Sequence, residues 1–306
     1  MKIVAFAGGV GGAKLAEGLS HLLPPENLTI IVNTGDDFFH WGLKICPDID
    51  TVCYTLAGLA NPTTGWGRKD ESWEVLKNLK TLGAEDWFNI GDKDLATHIE
   101  RTQKLNAGLP LSHITIEFCQ QWKIKPIILP MTDQNVSTMV TTKEQGELAF
   151  QEYFVHQRCE PVVTGFRFEG IDAAFPAPGV LEALQKADAI IFCPSNPWVS
   201  IDPILGINGI KSSIKNKKIL AVSPIIQGSA IKGPAAKMFL ELGIIPSAYA
   251  VAEHYKELVT DFIIDELDHA LSDNIQKLGM RTQILNTVMK STADRIQLAQ
   301  DVLNSI

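Results

Sequence analysis

The chain opens on a pattern of apolar residues that is typical of one strand–helix–strand unit. Residues 2–7 are aliphatic and β-branched and run directly into glycines, which predicts a fully buried parallel strand. Over residues 13–23 the apolar positions recur at helical spacing, until Pro24 and Pro25 end the pattern. Residues 28–32 form a second apolar run, so a right-handed βαβ unit is predicted at the start of the chain.

Further helices and strands follow from the same two periods. Helical spacing predicts helices over residues 48–59, 71–82, 92–105 with Asp92 as N-cap, 111–122 if Ser112 caps it, 180–186 and 210–215. Short apolar runs predict buried strands over 127–130, 189–193 and 218–223, and two antiparallel strands over 136–142 and 148–155. Residues 166–178, rich in Gly, Pro and Phe, have no clean period.

Predicted helices and strands alternate in the first and last parts of the chain, on either side of a segment of mixed character. We therefore predict an α/β fold with a Rossmann-like, open, mostly parallel sheet and helices on both faces. We expect a single domain over residues 1–306, with a mixed α+β insertion or cap at about residues 136–180.

Charge and cysteine usage exclude several classes of protein. A net charge of -8 is unsuited to sequence-independent nucleic-acid binding, so we expect no nucleic-acid partner. The five cysteines form no C-x-x-C pair and no cluster with histidine, which excludes a zinc site and fits a reducing cytoplasm. No apolar stretch approaches the roughly 18 residues that span a membrane, so we expect a cytoplasmic protein without a membrane partner.

A glycine-rich turn, residues 8–12, joins the first strand to the first helix. Glycine lets the backbone approach a ligand closely, and the helix N-terminus favours phosphate, so Gly9, Gly11, Gly12 and Lys14 are candidate phosphate ligands. The turn fits neither the Walker A pattern nor a strict G-x-G-x-x-G, because Lys14 stands at the last glycine position. The alternative is a tight strand–helix turn that binds no ligand.

Two pairs of carboxylates follow in the sequence. Asp36 and Asp37 come just after the second strand, at the sheet edge where ligands bind, and suit Mg²⁺. The alternative is a solvated turn. Asp48 and Asp50 stand at a helix start two residues apart, so they point in different directions and need not share a role. Both could instead simply complement the helix dipole.

Aromatic and polar residues recur in two segments before predicted helices. The first contains Trp66 and Arg68, and the second contains Asn89 and Asp92 and continues to His98. The aromatic faces could stack on a flat heterocycle while the polar groups read its edge. A core tryptophan and a structural histidine are the alternatives.

Two late turns end further buried strands on the same predicted edge of the sheet. Their side chains, amides and one lysine could bind the phosphates or base of a nucleotide. The candidates are Ser195, Asn196, Ser223, Gly228 and Lys232. Ordinary proline-rich turns are the alternative.

Taken together and in order, these segments resemble the 2-phospho-L-lactate transferase family of coenzyme F420 biosynthesis. The matching stretches are AGGVGGAKL, NTGDD, CPDIDTV, GWGRKDESW, GDKDLATH, LPMTD, CPSNPWVSI, SPIIQG with its KGP, and VAEHY. The resemblance implies a Mg²⁺-dependent transfer from a guanosine-diphosphate-linked acid to the ribityl hydroxyl of 7,8-didemethyl-8-hydroxy-5-deazariboflavin. The products would be coenzyme F420-0, or its dehydro form, and GMP. The resemblance also implies a homodimer, and leaves lactate, enolpyruvate and glycerate open as the donor acid.

The resemblance also assigns roles to individual residues. The family's deazaflavin contacts match Asp50 and Asn89, where some relatives carry a lysine at the second position. Asp50 is the predicted catalytic residue, as general base or through Mg²⁺, and Asp36 and Asp37 are the other metal candidates. The resemblance implies that Trp66, Arg68, Asp92 and His98 line the deazaflavin site, and that the glycine turn and late turns hold the guanosine diphosphate.

Two other functions stay open from the sequence. The glycine turn also resembles relatives of gluconeogenesis factor, which bind a nucleotide sugar without known turnover. Those relatives are not expected to carry the PD-x-D, GWGRKDESW and GD-x-DLATH run. A dinucleotide-dependent oxidoreductase is a weaker alternative, because the glycine motif is imperfect and no acidic residue closes the second strand.

Overall fold

The computed structural model describes residues 1–230 and 233–306. Lys232, a predicted phosphate ligand, lies outside the described residues. The strands are β1 Ile3–Ala7, β2 Leu28–Val32, β3 Phe38–His40, β4 Leu43–Ile45, β5 Ile127–Pro130, β6 Ser137–Thr142, β7 Gly146–Ala149, β8 Val163–Glu169, β9 Ala189–Phe192, β10 Lys218–Val222, β11 Ile225–Ile226, β12 Ser229–Ala230, β13 Asp261–Asp265 and β14 Arg281–Leu285.

The α-helices alternate with these strands. They are α1 Gly9–Leu22, α2 Pro47–Leu56, α3 Glu74–Thr81, α4 Asp92–Asn106, α5 Leu111–Gln121, α6 Val180–Lys186, α7 Asp202–Gly206, α8 Ile210–Ile214, α9 Ala235–Glu241, α10 Ala248–Tyr255, α11 Ser272–Gln276 and α12 Thr292–Asn304. The predicted helices are confirmed to within a few residues at each end.

The largest sheet of the described chain has seven parallel strands in the order β14-β13-β10-β9-β1-β2-β5. Both faces are buried: Val4 and Phe6 of β1 belong to one hydrophobic core, and Ile3 and Ala5 to the other. Burial on both faces explains why the strands read as continuous apolar runs. The predicted Rossmann-like α/β fold is confirmed.

The strand order places two loops side by side at the centre of the sheet. From β1 the chain runs outward to β2 and β5, and later returns to β9 on the other side of β1. The order therefore reverses between β1 and β9, and the crevice at such a point is where ligands bind in open α/β sheets. The glycine turn follows β1, and Pro194 to Asn196 follow β9.

A separate antiparallel sheet, ordered β7-β6-β8, falls within the segment predicted as an insertion. The predicted strand over 136–142 is confirmed, whereas the one over 148–155 is wrong for most of its length. β7 ends at Ala149, and Glu152–His156 forms a π-helical turn instead. Phe150 and Phe154 stack at 5.4 Å between ring centroids, a one-turn spacing that favours the helical path over a strand.

Several local predictions are also wrong. Gly91, not Asp92, is the N-cap of α4, and the Asp92 carboxylate instead accepts hydrogen bonds from the Glu74 and Val75 amides, which start α3. Ser112 does not cap α5, which begins at Leu111 after Pro110. The prediction also missed β3, β4, β8 and β11–β14, and the helices α7 and α9–α12.

Candidate functional site

A cavity of about 870 Å³ opens at the carboxyl ends of β1, β2 and β9. Elements that are far apart in the sequence line it: the glycine turn, Asp36, the start of α2, the loops at residues 64–67 and 88–89, α4, residues 150–159 after β7, and the loop after β9. A cavity of this volume is large enough to bind two small molecules side by side. We call the glycine turn, Asp36, Asp48 and the loop after β9 the sheet side of the cavity. We call α4, Asp50 and the loops at residues 64–67 and 88–89 its α4 side.

The glycine turn starts α1 without a side-chain cap, because Gly8 is its N-cap. Gly8 and Gly9 line the cavity, and Gly9 has a φ of 62°, which favours glycine. Gly11 and Gly12 do not line it. A Cβ at Gly11 would overlap the carbonyl oxygen of Pro194, and one at Gly12 would lie 2.6 Å from the hydroxyl of Ser195. These two glycines therefore let the turn pack against the loop after β9.

Asp48 ties α2 to the glycine turn. Its carboxylate accepts a hydrogen bond from the Gly9 amide at 2.7 Å and another from the Asn33 side chain at 2.9 Å. Burial raises the pKa of Asp48 to about 6, although both hydrogen bonds oppose the shift. Asp48 was not among the predicted site residues, although its position beside Asp50 in PD-x-D was a signal.

Asp36 and Asp37 have different surroundings. Asp36 lines the cavity, and one of its carboxylate oxygens is buried without a hydrogen-bond partner in the described structure. Burial and the nearby Asp48 charge raise the pKa of Asp36 well above its usual range. Asp37 does not line the cavity, since it faces the Lys44 ammonium at 3.6 Å and accepts from the Cys46 thiol at 3.0 Å. Asp37 also has one oxygen without a partner among the described residues, and burial raises its pKa too, so it is exposure to the cavity that leaves only Asp36 of this pair open to a ligand.

Asp50 points to the opposite side from Asp48, as the two-residue spacing predicts. Its carboxylate accepts from both terminal nitrogens of Arg101 in α4, one of them at 3.1 Å. Arg101 is 1% exposed. Burial opposes its charged form, but the Asp50 carboxylate outweighs that penalty and raises the pKa of the guanidinium. Arg101 was not predicted as a site residue, although Asp94, His98 and Arg101 share one helical face by their spacing.

His98 lies between Arg101 and Asp94. Its Nδ1 is 3.2 Å from Nη1 of Arg101, and because a guanidinium can only donate, Nδ1 is the acceptor and the proton is on Nε2. That Nε2 lies 3.4 Å from Asp94, which also accepts from the Tyr54 hydroxyl at 2.7 Å. Asp50, Asp94 and His98 offer ligand atoms within 4.8 Å of one another, so this buried group could bind a metal ion.

Aromatic rings form a third part of the cavity. Trp66 is 47% exposed and lines it together with Phe88, Phe150 and Phe154. Asn89 also lines the cavity, whereas two other residues predicted for this side do not. The guanidinium carbon of Arg68 lies over the Tyr54 ring, 5.4 Å from its centroid, and Asp92 is occupied with the start of α3.

The predicted nucleotide ligands also divide into residues that line the cavity and residues that do not. Ser195 and Asn196 line the cavity, and the Ser195 hydroxyl donates to the Gly8 carbonyl at 2.8 Å. Ser223 and Gly228 do not line it, because the Ser223 hydroxyl donates to the carbonyl of Ile225 and Gly228 lies in the β11–β12 hairpin. Lys14 is turned away from the cavity, and its ammonium donates to the Met289 carbonyl at 2.8 Å.

Comparison with known proteins identifies the family. Residues 3–302 match the family described as 2-phospho-L-lactate transferase CofD. The chain belongs to this family. It is 46% identical over 281 residues to a phosphoenolpyruvate transferase of Thermobifida fusca, covering 88% of this chain and 87% of that one. It is 38% identical over 303 residues to a 2-phospho-L-lactate transferase of Methanosarcina mazei, covering 99% and 100%.

A solved structure supports the fold. The crystal structure of a protein of the UPF0052 family from Bacillus halodurans has a TM-score of 0.65 to this chain at 16% identity, covering 99% of each chain. At that identity the likeness shows the fold alone. The family match confirms the predicted resemblance and the prediction of an enzyme of the 2-phospho-L-lactate transferase type. Within the described residues no helix has the length and apolar character needed to cross a membrane.

Proposed function

We propose that this chain transfers a phospho-acid from a guanosine-diphosphate-linked donor to the ribityl hydroxyl of 7,8-didemethyl-8-hydroxy-5-deazariboflavin. The products are GMP and coenzyme F420-0 or its dehydro form. One observation carries the proposal: a single cavity joins a helix N-terminus and two buried acids on one side to an aromatic wall and Asp50 on the other. Two relatives are named as transferases of phospho-acids, phosphoenolpyruvate and 2-phospho-L-lactate, and this supports the proposal.

The sheet side of the cavity is suited to the donor. The amides of the first turn of α1 have no partner within the helix, and Gly9 and Val10 of that turn line the cavity. The Gly9 amide is already bonded to Asp48, so the amide of Val10 is the one in this turn that we assign to a phosphate. Ser195 and Asn196 extend this surface beyond the turn.

The same side fits Mg²⁺. Asp36 and Asp48 are buried carboxylates whose pKa values are both raised, and Asp36 has an orphaned oxygen. A divalent cation bound here would relieve the repulsion between the Asp36 and Asp48 carboxylates and would neutralise the donor diphosphate. Asp50 is less suited as a ligand, because Arg101 already occupies its carboxylate, and Asp37 is paired with Lys44. We therefore assign Mg²⁺ to Asp36 and Asp48 and not to Asp37 or Asp50.

The α4 side is suited to the acceptor. The aromatic wall can stack on the flat deazaflavin ring, and the Asp50 carboxylate can accept a hydrogen bond from the ribityl hydroxyl. That hydroxyl oxygen attacks the phosphorus next to the acid and forms the new P–O bond. The bond from this phosphorus to the bridging oxygen breaks, the bridging oxygen leaves with GMP, and the hydroxyl proton passes to Asp50. Arg101 holds Asp50 in place, and His98 accepts a hydrogen bond from Arg101.

The test is product formation by the full chain. The chain is incubated with Mg²⁺, the deazaflavin and, in turn, the lactyl, enolpyruvyl and glyceryl diphosphoguanosine donors, and products are weighed by mass spectrometry. We expect GMP and one deazaflavin phosphodiester that depends on the donor. In parallel, the deazaflavin should quench the fluorescence of Trp66. Nucleotide binding without quenching or product would contradict the proposal and favour a nucleotide-binding regulator.

A further inference from the structure

The charged residues that line the cavity are unbalanced. Among the described lining residues the only lysine or arginine is Arg158, against the carboxylates of Asp36, Asp48, Asp50 and Asp94. Arg101 neutralises Asp50 from behind the cavity wall, but it does not itself line the cavity. Arg158 is thus the one described guanidinium that can meet an anionic ligand inside this cavity.

Arg158 occupies a backbone position that favours glycine. It follows the turn formed by Glu152–His156, and both Arg158 and Cys159 have left-handed φ angles, 50° and 59°. Glycine is the usual residue where a helical turn ends in this conformation, because a side chain there is strained.

The surrounding residues hold the Arg158 backbone in this conformation. The Cys159 amide donates to the Tyr153 carbonyl at 2.9 Å, and its thiol contacts the Phe154 carbonyl at 3.7 Å. Phe154 in turn stacks on Phe150. The Arg158 guanidinium itself is exposed and forms no hydrogen bond or ion pair with the described part of the chain. The Arg158 side chain is therefore available to an anionic ligand in the cavity.

We propose that Arg158 binds the carboxylate of the acid carried by the donor, an inference that rests on the proposed function. The donor has two anionic parts, a diphosphate and a carboxylate, and the carboxylate is common to lactate, enolpyruvate and glycerate. The diphosphate is assigned to the α1 N-terminus and the Asp36–Asp48 pair. The carboxylate therefore needs a second cation, and a guanidinium binds carboxylates through two parallel hydrogen bonds.

The assignment is tested with Arg158→Gln and Arg158→Lys in the full chain. We expect Arg158→Gln to raise the KM for the enolpyruvyl donor by roughly 10- to 100-fold while kcat changes little, with Arg158→Lys between it and the wild type. The Kd of GDP, which lacks the carboxylate, should not change. Arg167→Gln is the matched control, because Arg167 is an exposed arginine of the nearby strand β8 that pairs with Glu147 and does not line the cavity.

A donor analogue with a carboxamide in place of the carboxylate makes the test specific. The wild type should lose about as much affinity for this analogue as Arg158→Gln loses for the normal donor, and the two losses should not add. Additive losses, an unchanged KM, or a parallel loss of GDP binding would overturn the assignment. Failure of the proposed function is distinguishable, because the wild type would then form no deazaflavin product from any donor.

Arg158→Gly separates a loss of donor binding from a loss of stability. Glycine removes the strain of the left-handed backbone, so this variant should melt no lower than the wild type and still show the raised KM of Arg158→Gln. A glycine variant with the wild-type KM would overturn the proposal, because the guanidinium would then have no role in donor binding.

Discussion

The two sides of the cavity use carboxylates in opposite ways. On the sheet side, Asp36 and Asp48 are buried without a cationic partner among the described contacts, and the pKa of each is raised. On the α4 side, Asp50 lies against the buried guanidinium of Arg101. Uncompensated acids are suited to a cation that arrives with the substrate, whereas a carboxylate paired with a guanidinium is fixed in position and can accept a hydrogen bond from a substrate hydroxyl. Under the proposed function, two residues of one helical turn, Asp48 and Asp50, thus serve two different substrates.

The largest expected effect is on Asp50. Asp50→Ala should lower kcat by roughly 10²- to 10⁴-fold, because it removes the group that takes the hydroxyl proton. Steady-state assays with both substrates measure the loss, and Glu17→Gln is the control, since Glu17 pairs with Arg295 away from the cavity. Activity within a few-fold of the wild type would mean that another group is the base.

Arg101→Met should have the largest effect on stability. It leaves the Asp50 carboxylate buried without its partner, which costs about 3–5 kcal/mol in the free energy of unfolding. The double variant Asp50→Asn with Arg101→Met should recover much of that loss, because the uncompensated charge is gone. Urea unfolding of the wild type, the two single variants and the double variant measures the coupling, and purely additive losses would contradict the ion pair.

The Asp48 carboxylate should make stability depend on pH. Its pKa is raised to about 6 in the folded state, so its contribution is full at acidic pH and is lost as the pH rises through about 6. The difference between this pKa and the usual value for an aspartate corresponds to roughly 3 kcal/mol in the free energy of unfolding. Melting temperatures in EDTA should fall less steeply between about pH 4 and 6.5 for Asp48→Asn than for the wild type, because the folded and unfolded states bind different numbers of protons at Asp48 only between the two pKa values. Equal slopes would contradict the raised pKa.

Gly11→Ala should cost about 1–3 kcal/mol of stability and weaken GDP binding, because the added Cβ overlaps the Pro194 carbonyl and pushes the glycine turn away from the loop after β9. Gly165→Ala is the matched control, since a Cβ there would meet nothing closer than 4.0 Å. Thermal unfolding and calorimetric titration with GDP measure the two effects. A tight GDP complex in a destabilised Gly11→Ala protein would show that the turn does not hold the donor.

The sequence was sufficient to predict the edge of the sheet at which the site lies. Gly9, Asp36 and Ser195 each follow a buried strand, and parallel strands bring their carboxyl ends together, so these residues meet at the cavity as expected. The two-residue spacing of Asp48 and Asp50 also predicted their divergence correctly. These inferences depend on local periods and on strand polarity, which the sequence carries directly.

The rest depends on contacts between distant segments. Lys14 was expected at a phosphate because of its place in the first turns of α1, but it reaches the Met289 carbonyl, 275 positions further along the chain. Arg101 was missed because its pairing with Asp50 joins α2 to α4 and has no local signature. Asp92 obeys the preference of Asp for helix starts, yet it serves α3 rather than its own helix.

The contrast between the two sides of the cavity is tested most directly by crossing two variants with two ligands. Calorimetric titrations of Asp48→Asn and Asp50→Ala are performed with GDP plus Mg²⁺ and, separately, with the deazaflavin. We predict that Asp48→Asn loses affinity for GDP with Mg²⁺ and keeps the deazaflavin, while Asp50→Ala loses affinity for the deazaflavin and keeps GDP. If either variant weakened both ligands equally, or if the losses were exchanged, the assignment of one side to each substrate would be wrong.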